Sequence, residues 1–490
     1  MSPSQSVRKL RVLVLEINEI SWELMDPWLK TGELKNFQTL RDRGCFATTM
    51  TDERPPLLDP WITWTTFYTG VPQPIHRMEF LEQPVESLGA KRLWDLVAAE
   101  GKSVGVFGSS GTWPPPQLNG SSFFVPGSFS PDSQTYPDNL RPIQELNLRY
   151  TRSHAPGCTS PGTLSMIMSG LRLLKHGLNL MTMWQAFKTL LEIKRHPDRN
   201  WKKVCLQPVV NFAFFRKLYR ANRPAFSTFH TNHVAHFQHR FFRAWQPERF
   251  PDPTDPQEIE RFHDAIHYGY LVADRLLGQF FKLCERESDL ILCVASSMGQ
   301  KPWIPERYGS VAPETCRVKS ITRLVEILGL KDHCEFYSTM APQWNIKISN
   351  ATAREATLQH LNAARYQPLN QSMYASEVIG DTIVITPTSY HGLDSSTTCA
   401  FLSLPGSPVY PFDELVIQED ETRKSGCHDP VGMLALYGQP IRSGVDLGEL
   451  NTLDVTPTLL ALMGLTVPAY MKGQDLSETV LTGQVPVRMA

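Results

Sequence analysis

Short, mainly apolar runs alternate along the chain with stretches in which apolar positions recur every three or four residues. One run spans 10–17, and others lie at 103–107, 225–229 and 290–295. Runs of this length are typical of parallel strands that are buried on both faces of a sheet. Helical patterns lie between them, the first at 21–29. This order predicts an α/β fold around a mainly parallel sheet.

The same two periodicities predict the other elements. Further helices are expected at 34–40, 91–100, 164–176, 181–195, 209–219, 258–285, 321–328 and 351–364, and further strands at 344–348, 372–379 and 382–385. A stretch rich in Pro, Gly and Ser at 112–139 predicts a long surface loop. Asp454 followed by Pro457 predicts the start of a late helix, which Gly464 ends.

With 490 residues the chain could hold roughly three average domains, but large α/β enzymes often form one elaborated unit. The predicted organisation is a core first part at 8–139, a helical cap insertion at 140–222, a core second part at 223–300, a small α+β insertion at 301–387 and a core last part at 388–480. The large apolar side chains of the cap are interpreted as core, with the lining of an apolar pocket as the alternative: Met166, Met168, Met181, Met183, Trp184 and Phe187.

Composition narrows the choice of partner and compartment. A hydrophobic content of 41% and a charged content of 20% describe a globular protein. A net charge of −1 gives no reason to expect nucleic acid or an anionic membrane as partner. Nine cysteines without Cys-x-x-Cys spacing indicate reduced thiols and a cytoplasmic protein. The most apolar stretch, 164–193, contains four basic residues, so no transmembrane segment is expected.

The most informative segment is hydroxyl-rich and spans Pro60–His76. A Pro-bounded loop leads into a helix-like stretch that contains Thr65 and Thr66 and ends at Thr69-Gly70. We expect a Thr hydroxyl to lie at the start of a helix, where free N–H groups and the helix dipole favour phosphate or sulfate. The alternative is a helix start whose hydroxyls act only as caps.

Eight segments, in order along the chain, resemble the alkaline phosphatase superfamily, most closely its type I phosphodiesterase/nucleotide pyrophosphatase branch. They lie at 13–19, 35–40, 64–67, 70–76, 231–236, 294–299, 426–432 and 454–458. The resemblance implies an alkaline phosphatase-like three-layer sandwich with a mainly parallel central sheet, a helical cap and a small α+β insertion. It also implies attack on phosphorus by a Thr or Ser beside two zinc ions. Thr65 occupies the nucleophile position, with Thr66 one residue away as the alternative.

The chain departs from the family at the metal ligands. Asn18 and Asn232 replace Asp, and Ser297-Met298 replace Asp-His. A carboxamide oxygen offers Zn²⁺ only a dipole where a carboxylate offers a full charge. The resemblance therefore implies at most one zinc or other divalent ion, held by Asn232, His236 and His428, with a metal-free site as the alternative.

Four histidines recur every three residues near these ligands, at 230, 233, 236 and 239. A helical stretch would spread them rather than converge them on one ion.

Loss of the second metal leaves the nucleophile without an activator, and Glu19 is the nearest carboxylate in the alignment. Burial would raise the pKa of Glu19 toward neutrality, so that it could act as the catalytic base for Thr65. The alternatives are a cap on the helix from Ser21 and an ion pair. The predicted substrate-binding residues are Asn18, Thr66, Ser297 and His391; for His391 a role in a loop turn is the alternative.

The resulting hypothesis is a phosphodiesterase- or phosphatase-type hydrolase, or a phosphoryl-type transferase, that acts through Thr65. Its substrate would be a small-molecule or lipid-like phosphate or sulfate ester, and no nucleic acid. Hydrolysis and transfer share the covalent half-reaction, so the residues do not separate them. The alternative is a non-catalytic member of the superfamily, a pseudoenzyme that binds an anionic ligand or a partner.

Overall fold

The computed structural model describes residues 10–55, 57–81, 83–118, 120–152, 173–251, 253–304, 314–338, 343–390, 392–420 and 425–481. The chain divides into two compact units. The larger comprises Met1–Pro302 and Ser425–Ala490, and the smaller comprises Trp303–Lys424.

The larger unit is built on an eight-stranded sheet with the strand order β20-β2-β19-β6-β1-β5-β3-β4. The strands are β1 (Arg11–Ile17), β2 (Cys45–Met50), β3 (Val104–Phe107), β4 (Phe123–Val125), β5 (Phe226–Thr231), β6 (Leu290–Ser296), β19 (Val431–Tyr437) and β20 (Val445–Asn451). Only β19 of these eight runs against its neighbours, and the others are parallel to one another. The predicted α/β fold with a mainly parallel sheet is confirmed.

Helices and one short antiparallel pair complete the larger unit. The α-helices are α1 (Trp22–Lys30), α2 (Lys35–Arg43), α3 (Pro60–Thr69), α4 (Gln73–His76), α5 (Leu93–Ala99), α6 (Arg141–Arg152), α7 (Leu180–Arg195), α8 (Leu206–Asn222), α9 (His233–Trp245), α10 (Pro256–Phe262), α11 (Ala265–Cys284), α15 (Val455–Leu462) and α16 (Ser477–Val480). Single 3₁₀ segments lie at Val85–Ser87, Asp138–Leu140, Pro197–Cys205, Pro247–Arg249 and Thr452–Asp454. Outside the sheet, β7 (Gly299–Pro302) pairs antiparallel with β18 (Gly426–Asp429).

Strand β1 is central because its side chains are buried on both faces. On one face, Val12 and Val14 pack in a core that includes Trp64 of α3. On the other face, the neighbouring strand β5 places Phe229 against aromatic rings of α8 and α11. Because β1, β5 and β6 are parallel, their carboxyl ends meet at one edge of the sheet, where ligand sites of such sheets commonly form. Asn18-Glu19, Asn232 and Ser297 follow these three strands directly.

The smaller unit is mainly antiparallel. Its strands are β8 (Glu314–Val318), β9 (Glu335–Ser338), β10 (Trp344–Lys347), β11 (Ala364–Gln367), β12 (Gln371–Ser372), β13 (Tyr374–Ile379), β14 (Thr382–Pro387), β15 (Thr398–Phe401), β16 (Val409–Pro411) and β17 (Val416–Asp420), and its α-helices are α12 (Ile321–Ile327), α13 (Ala351–Ala363) and α14 (Phe412–Leu415). The unit extends to Lys424, whereas the sequence places the end of the insertion at 387. The extension arises because β15 and β17 pair with β11 and β8.

Several local expectations differ from the observed elements. The stretch 112–139, predicted as a loop, contains strand β4. The helix predicted at 258–285 is divided into α10 and α11. Most of the helix predicted at 164–176 falls on 164–172, outside the described residues, as do Met166 and Met168. Within the described part of the chain, no helix combines the length and the apolar character needed to cross a membrane. The eight cysteines that are described are free thiols.

The close approach of β19 to β6 gives a first prediction. A Cβ atom at Gly432 would lie 2.3 Å from the backbone oxygen of Ser296 and 2.8 Å from Oγ1 of Thr49. We expect Gly432→Ala to lower the free energy of unfolding by roughly 3 kcal/mol or more, because strand backbone must move. Gly101, with a φ of +69° and open space around it, is the matched control. There alanine should cost only about 1–2 kcal/mol of left-handed strain. Urea unfolding of both variants makes the comparison, and equal losses would contradict the packing argument.

Candidate functional site

A buried carboxylate lies at the carboxyl end of β1. Glu19 is 2% exposed and has a φ of +62°, a left-handed conformation that non-glycine residues seldom adopt and that is found preferentially at functional sites. Asn18 Nδ2 donates to Glu19 Oε1 at 2.9 Å, and Gln300 Nε2 donates to Oε2. The backbone carbonyl of Glu19 accepts a hydrogen bond from Gln238 Nε2 at 2.8 Å. Asn18 and Gln300 therefore hold the carboxylate in position, and Gln238 holds the backbone of the same residue.

Two imidazoles face this carboxylate. His239 of α9 places its Nε2 3.0 Å from Glu19 Oε2, and His428 of β18 places its Nε2 3.7 Å from Oε1. The two rings are 5.1 Å apart and inclined by 74°. The side chains of His239 and His428 are 30% and 22% exposed, so solvent reaches the site from their side.

The outer nitrogen of each ring bonds to a backbone carbonyl. His239 Nδ1 lies 3.2 Å from Gly426 O, and His428 Nδ1 lies 2.7 Å from Leu58 O. A carbonyl oxygen only accepts, so each Nδ1 carries the hydrogen and donates it. In the neutral rings each Nε2, 3.0 and 3.7 Å from the carboxylate, then keeps a lone pair that can bind a metal ion. Anchoring Nδ1–H on a carbonyl is the usual way in which proteins orient a metal-ligating histidine.

The pKa of Glu19 differs from the value expected from the sequence. Burial alone would raise the pKa of Glu19, but the charges of His239 and His428 and the hydrogen bonds from His239 and Gln300 lower it to about 2. Burial would lower the pKa of His428, yet Glu19 and Asp59 raise it above its usual value. The prediction that the pKa of Glu19 is raised toward neutrality, as a catalytic base requires, is wrong. Glu19 does not cap α1 either, since Ser21 does so.

The three side chains suit a divalent metal ion. Within the described ranges, Glu19, His239 and His428 form the one group of at least three potential ligands whose donor atoms lie within 4.8 Å of one another. Donor atoms around tetrahedral zinc are about 3.3 Å apart. The distances from the Glu19 carboxylate to Nε2 of His239 and of His428, 3.0 and 3.7 Å, lie on either side of this value. One carboxylate and two neutral imidazoles are a donor set that zinc accepts. Asp59 Oδ1, 3.3 Å from His428 Nδ1, adds an outer carboxylate.

This group shares only His428 with the predicted ligands. His236 is not part of it, and its ring contacts Phe237 on the same helix. Three residues advance an α-helix by about 4.5 Å, and it is His239, beside Gln238, that reaches Glu19. Asn232 precedes α9, and its Oδ1 accepts a hydrogen bond from Asn18 Nδ2 at 2.8 Å. The four histidines have separate environments, although only three of them lie on the helix: His230 is on β5 and bonds Glu16, whereas His233 bonds Thr231 and Gly269.

Thr65 does not lie at a helix start. Helix α3 begins at Pro60, so Thr65 is in its second turn and donates its hydroxyl hydrogen to Trp61 O at 2.7 Å. The expectation that its hydroxyl lies at a helix start is wrong, because the helix already begins at Pro60, five residues before Thr65. Asp59 is the N-cap residue. Asp59 also contacts His428, so the start of α3 lies beside the Glu19–His239–His428 group.

The remaining predicted substrate-binding residues fall in different places. Asn18 belongs to the site, because it links Glu19 to Asn232 and accepts a hydrogen bond from Trp64 Nε1 at 2.9 Å. Ser297 is fully buried, with its Oγ 2.8 Å from Oγ1 of Thr63. His391 lies outside the described residues.

Thr66 belongs to a separate buried network. Its hydroxyl donates to Glu53 and lies 2.9 Å from His76 Nε2. His76 is fully buried, and its Nδ1 accepts a hydrogen bond from Met78 N at 3.0 Å. The Nε2 therefore carries the hydrogen and donates to Thr66. Burial lowers the pKa of His76 to about 3. These contacts indicate that Thr66 stabilises the α3–α4 region.

Sequence reasoning missed His239, Asp59 and Gln300. The signal for His239 is the apolar face of α9, formed by Val234, Phe237, Phe241 and Phe242, all of them buried. That spacing predicts a helix whose buried side carries position 238 toward the sheet. No comparable pattern marks Gln300, which reaches Glu19 through the pairing of β7 with β18.

In comparisons with known proteins, no protein-family model and no curated protein matches the chain.

The Thr66 network predicts a pH dependence of stability. In the unfolded chain His76 binds a proton near pH 6.5, whereas in the folded protein it does so only near pH 3. The unfolded state therefore binds more protons between these values, and the free energy of unfolding falls as the pH drops below 6.5. We expect His76→Gln to reduce this slope by about 1.4 kcal/mol per pH unit. Urea unfolding between pH 4.5 and 6.5 measures it, and an unchanged slope would show that His76 titrates in the folded protein.

The ligand group predicts which histidine binds metal. Replacing His239 with Gln removes one imidazole, so the affinity for Zn²⁺ should fall by about 100-fold or more. His236→Gln is the matched control, one turn away on α9, and should change the affinity less than about threefold. Titration calorimetry with Zn²⁺ provides the measurement, with thermal unfolding as a check on folding. A larger loss at His236 would restore the ligand set that the sequence predicts.

Proposed function

We propose that the protein is a metal-assisted hydrolase or transferase of phosphate-type esters, and a divergent member of the alkaline phosphatase superfamily. The observation that carries the proposal is the convergence of two imidazole Nε2 atoms on Glu19, each ring anchored through Nδ1 on a backbone carbonyl. This arrangement prepares three ligands for one divalent ion and leaves further coordination positions for a substrate.

The position of the site supports the proposal. It lies where β1, β5 and β6 end together, the edge at which parallel sheets commonly bind ligands. Segments that resemble the superfamily contribute Asn18, Asn232, Ser297 and His428 at or near this edge. The mainly parallel sheet agrees with an alkaline phosphatase-like three-layer sandwich in which 140–222 is a cap and the smaller unit an insertion.

The residues of the site have separate roles in the proposed reaction. A divalent metal, when bound, supplies Lewis-acid polarisation of a phosphoryl oxygen. Glu19 contributes the only full negative charge among the three ligands, and Asn18 and Gln300 hold it in place. Asp59 positions His428 through Nδ1. The first turn of α3 adds little to anion binding, because Pro60 carries no N–H and the N–H groups of Ile62 and Thr63 donate to Asp59 O.

The proposal assigns the attack to water or an acceptor alcohol and not to Thr65. The Thr65 hydroxyl is engaged with Trp61 O, and its place in the second turn removes it from the free N–H groups at the helix start. The oxygen of water or alcohol bonds to phosphorus and loses its proton, the ester P–O bond breaks, and the leaving alcoholate takes up one proton in exchange. Water gives hydrolysis, and an alcohol gives transfer.

One observation favours the second candidate, a non-catalytic protein that binds an anionic ligand. Asn18 and Asn232, at positions where the superfamily has Asp, satisfy each other in a hydrogen bond of 2.8 Å. A pair of carboxamides engaged in this way does not attract a second cation, so the site has less positive charge to stabilise a leaving group.

The test is turnover of aryl phosphomonoesters and diesters by protein loaded with Zn²⁺ or Mn²⁺. We expect metal-dependent turnover that Glu19→Gln lowers by about 100-fold or more, because the ligand charge is lost. Thr65→Val keeps the side-chain shape and should lower turnover by less than about tenfold.

Each other result has a defined meaning. A loss at Thr65→Val as large as at Glu19→Gln would show that Thr65 is the nucleophile. Binding of one metal ion per chain without turnover would favour the non-catalytic candidate. Absence of metal binding at neutral pH would refute the proposed centre itself.

A further inference from the structure

Helix α7 presents large apolar side chains to solvent. Leu180 is 83% exposed, Met181 71%, Trp184 56% and Phe187 52%, and Met183 and Leu190 are also exposed. The interpretation of the cap's apolar residues as core is therefore wrong for Met181, Met183, Trp184 and Phe187. Contiguous exposed apolar surface of this kind marks an interaction site.

Five of the six exposed apolar residues form one stripe along the helix. Leu180, Met183, Trp184, Phe187 and Leu190 are spaced by three or four residues and so share one face. The buried residues Thr182 and Ile193 are separated by about three turns and lie on the opposite face. A helix on the surface of a globular protein normally turns its apolar stripe inward. In α7 the apolar stripe faces outward.

The stripe has the side chains that suit the boundary between lipid head groups and acyl chains. The Trp184 and Phe187 rings stack with centroids 5.6 Å apart, and Lys188 Nζ lies 5.5 Å from the centroid of Trp184. A lysine beside an outward-facing tryptophan can lay its methylene groups on apolar surface while its ammonium group remains among polar head groups. Helices that lie in a membrane interface combine Trp, Phe and Leu on one side with Lys and Arg around them.

The segment that contains α7 is strongly positive. Residues 173–223 contain eleven Lys and Arg but only two acidic residues, Glu192 and Asp198, a net charge of +9 in a chain whose total is −1. On and beside the helix, Lys175, Lys188, Lys194 and Arg195 are exposed. Each basic residue near an anionic membrane surface adds to the attraction.

We propose that the outer face of α7, with its basic border, docks on the surface of an anionic lipid bilayer. The helix is about 24 Å long and would lie in the plane of the interface. A second copy of the chain fits less well, because two surfaces of the same positive charge would face each other. The docking does not depend on the chemistry proposed at Glu19.

The test is co-sedimentation of the full chain with vesicles. We expect binding to phosphatidylcholine vesicles that contain about 30% phosphatidylglycerol, and at least about tenfold weaker binding to pure phosphatidylcholine. Raising the salt from about 0.15 M to about 0.5 M should weaken the binding to anionic vesicles, because it screens the basic residues. Trp184→Ser with Phe187→Ser should reduce this binding by at least about tenfold.

Two further variants make the result specific. Lys188→Glu with Arg195→Glu should also reduce binding about tenfold or more, since it reverses charge at the border of the stripe. Leu402→Ser is the matched control, because Leu402 is 49% exposed and lies in the smaller unit. Thermal unfolding confirms that each variant is folded.

Three outcomes would overturn the proposal. They are failure of the full chain to bind anionic vesicles, equal binding by the Trp184/Phe187 variant, and a dimer in light scattering that this variant converts to a monomer. The last would assign the stripe to a second copy of the chain.

Discussion

The carboxylate of Glu19 is the contact on which the arrangement of the site depends. A fully desolvated charge is costly unless charge and hydrogen bonds offset the loss of water, and Glu19 receives both. Its partners come from separate parts of the chain: Asn18 beside it, His239 on α9, Gln300 on β7 and His428 on β18. One buried charge thus connects the end of β1 to three elements that are distant in sequence. Removing any of these partners leaves part of the charge uncompensated, so the site forms as a unit.

The same contact explains why the site lies at the sheet edge and not within the sheet. Within β1 the side chains from Val12 to Ile17 are buried, and the partly exposed side chains of His239 and His428 lie beyond the end of the strand. The left-handed conformation of Glu19 turns the chain at this point. The cost of that conformation is acceptable because hydrogen bonds to the backbone and the side chain of Glu19 hold it in place. A metal ion bound between the carboxylate and the imidazoles would further stabilise this conformation of Glu19.

The sequence predicts the central parallel strands of the larger sheet and β10, β13 and β14 of the smaller unit, but it misses β2 and β4. The apolar runs of β1, β3, β5 and β6 indicate burial on both faces, and helices of suitable length lie between them. The run of β19 indicates burial equally, but an apolar run carries no sign of direction, so its antiparallel course follows only from its neighbours. The smaller unit extends past the expected boundary for a similar reason. Pairing partners distant in sequence leave no local pattern.

The site shows the same division between local and distant information. His428 could be recognised from its segment, and the burial of Glu19 from its place after a buried strand. Burial alone would raise the pKa of Glu19, however, and the two imidazoles that reverse the direction come from other elements. The surface of α7 shows a related limit. Periodicity reveals an apolar stripe but not which side of the helix packs against the core. The net charge of the whole chain, −1, likewise does not reveal the net charge of +9 within residues 173–223. An apolar stripe that faces outward and has a basic border suits a binding partner that is both apolar and anionic. A membrane surface offers both properties together.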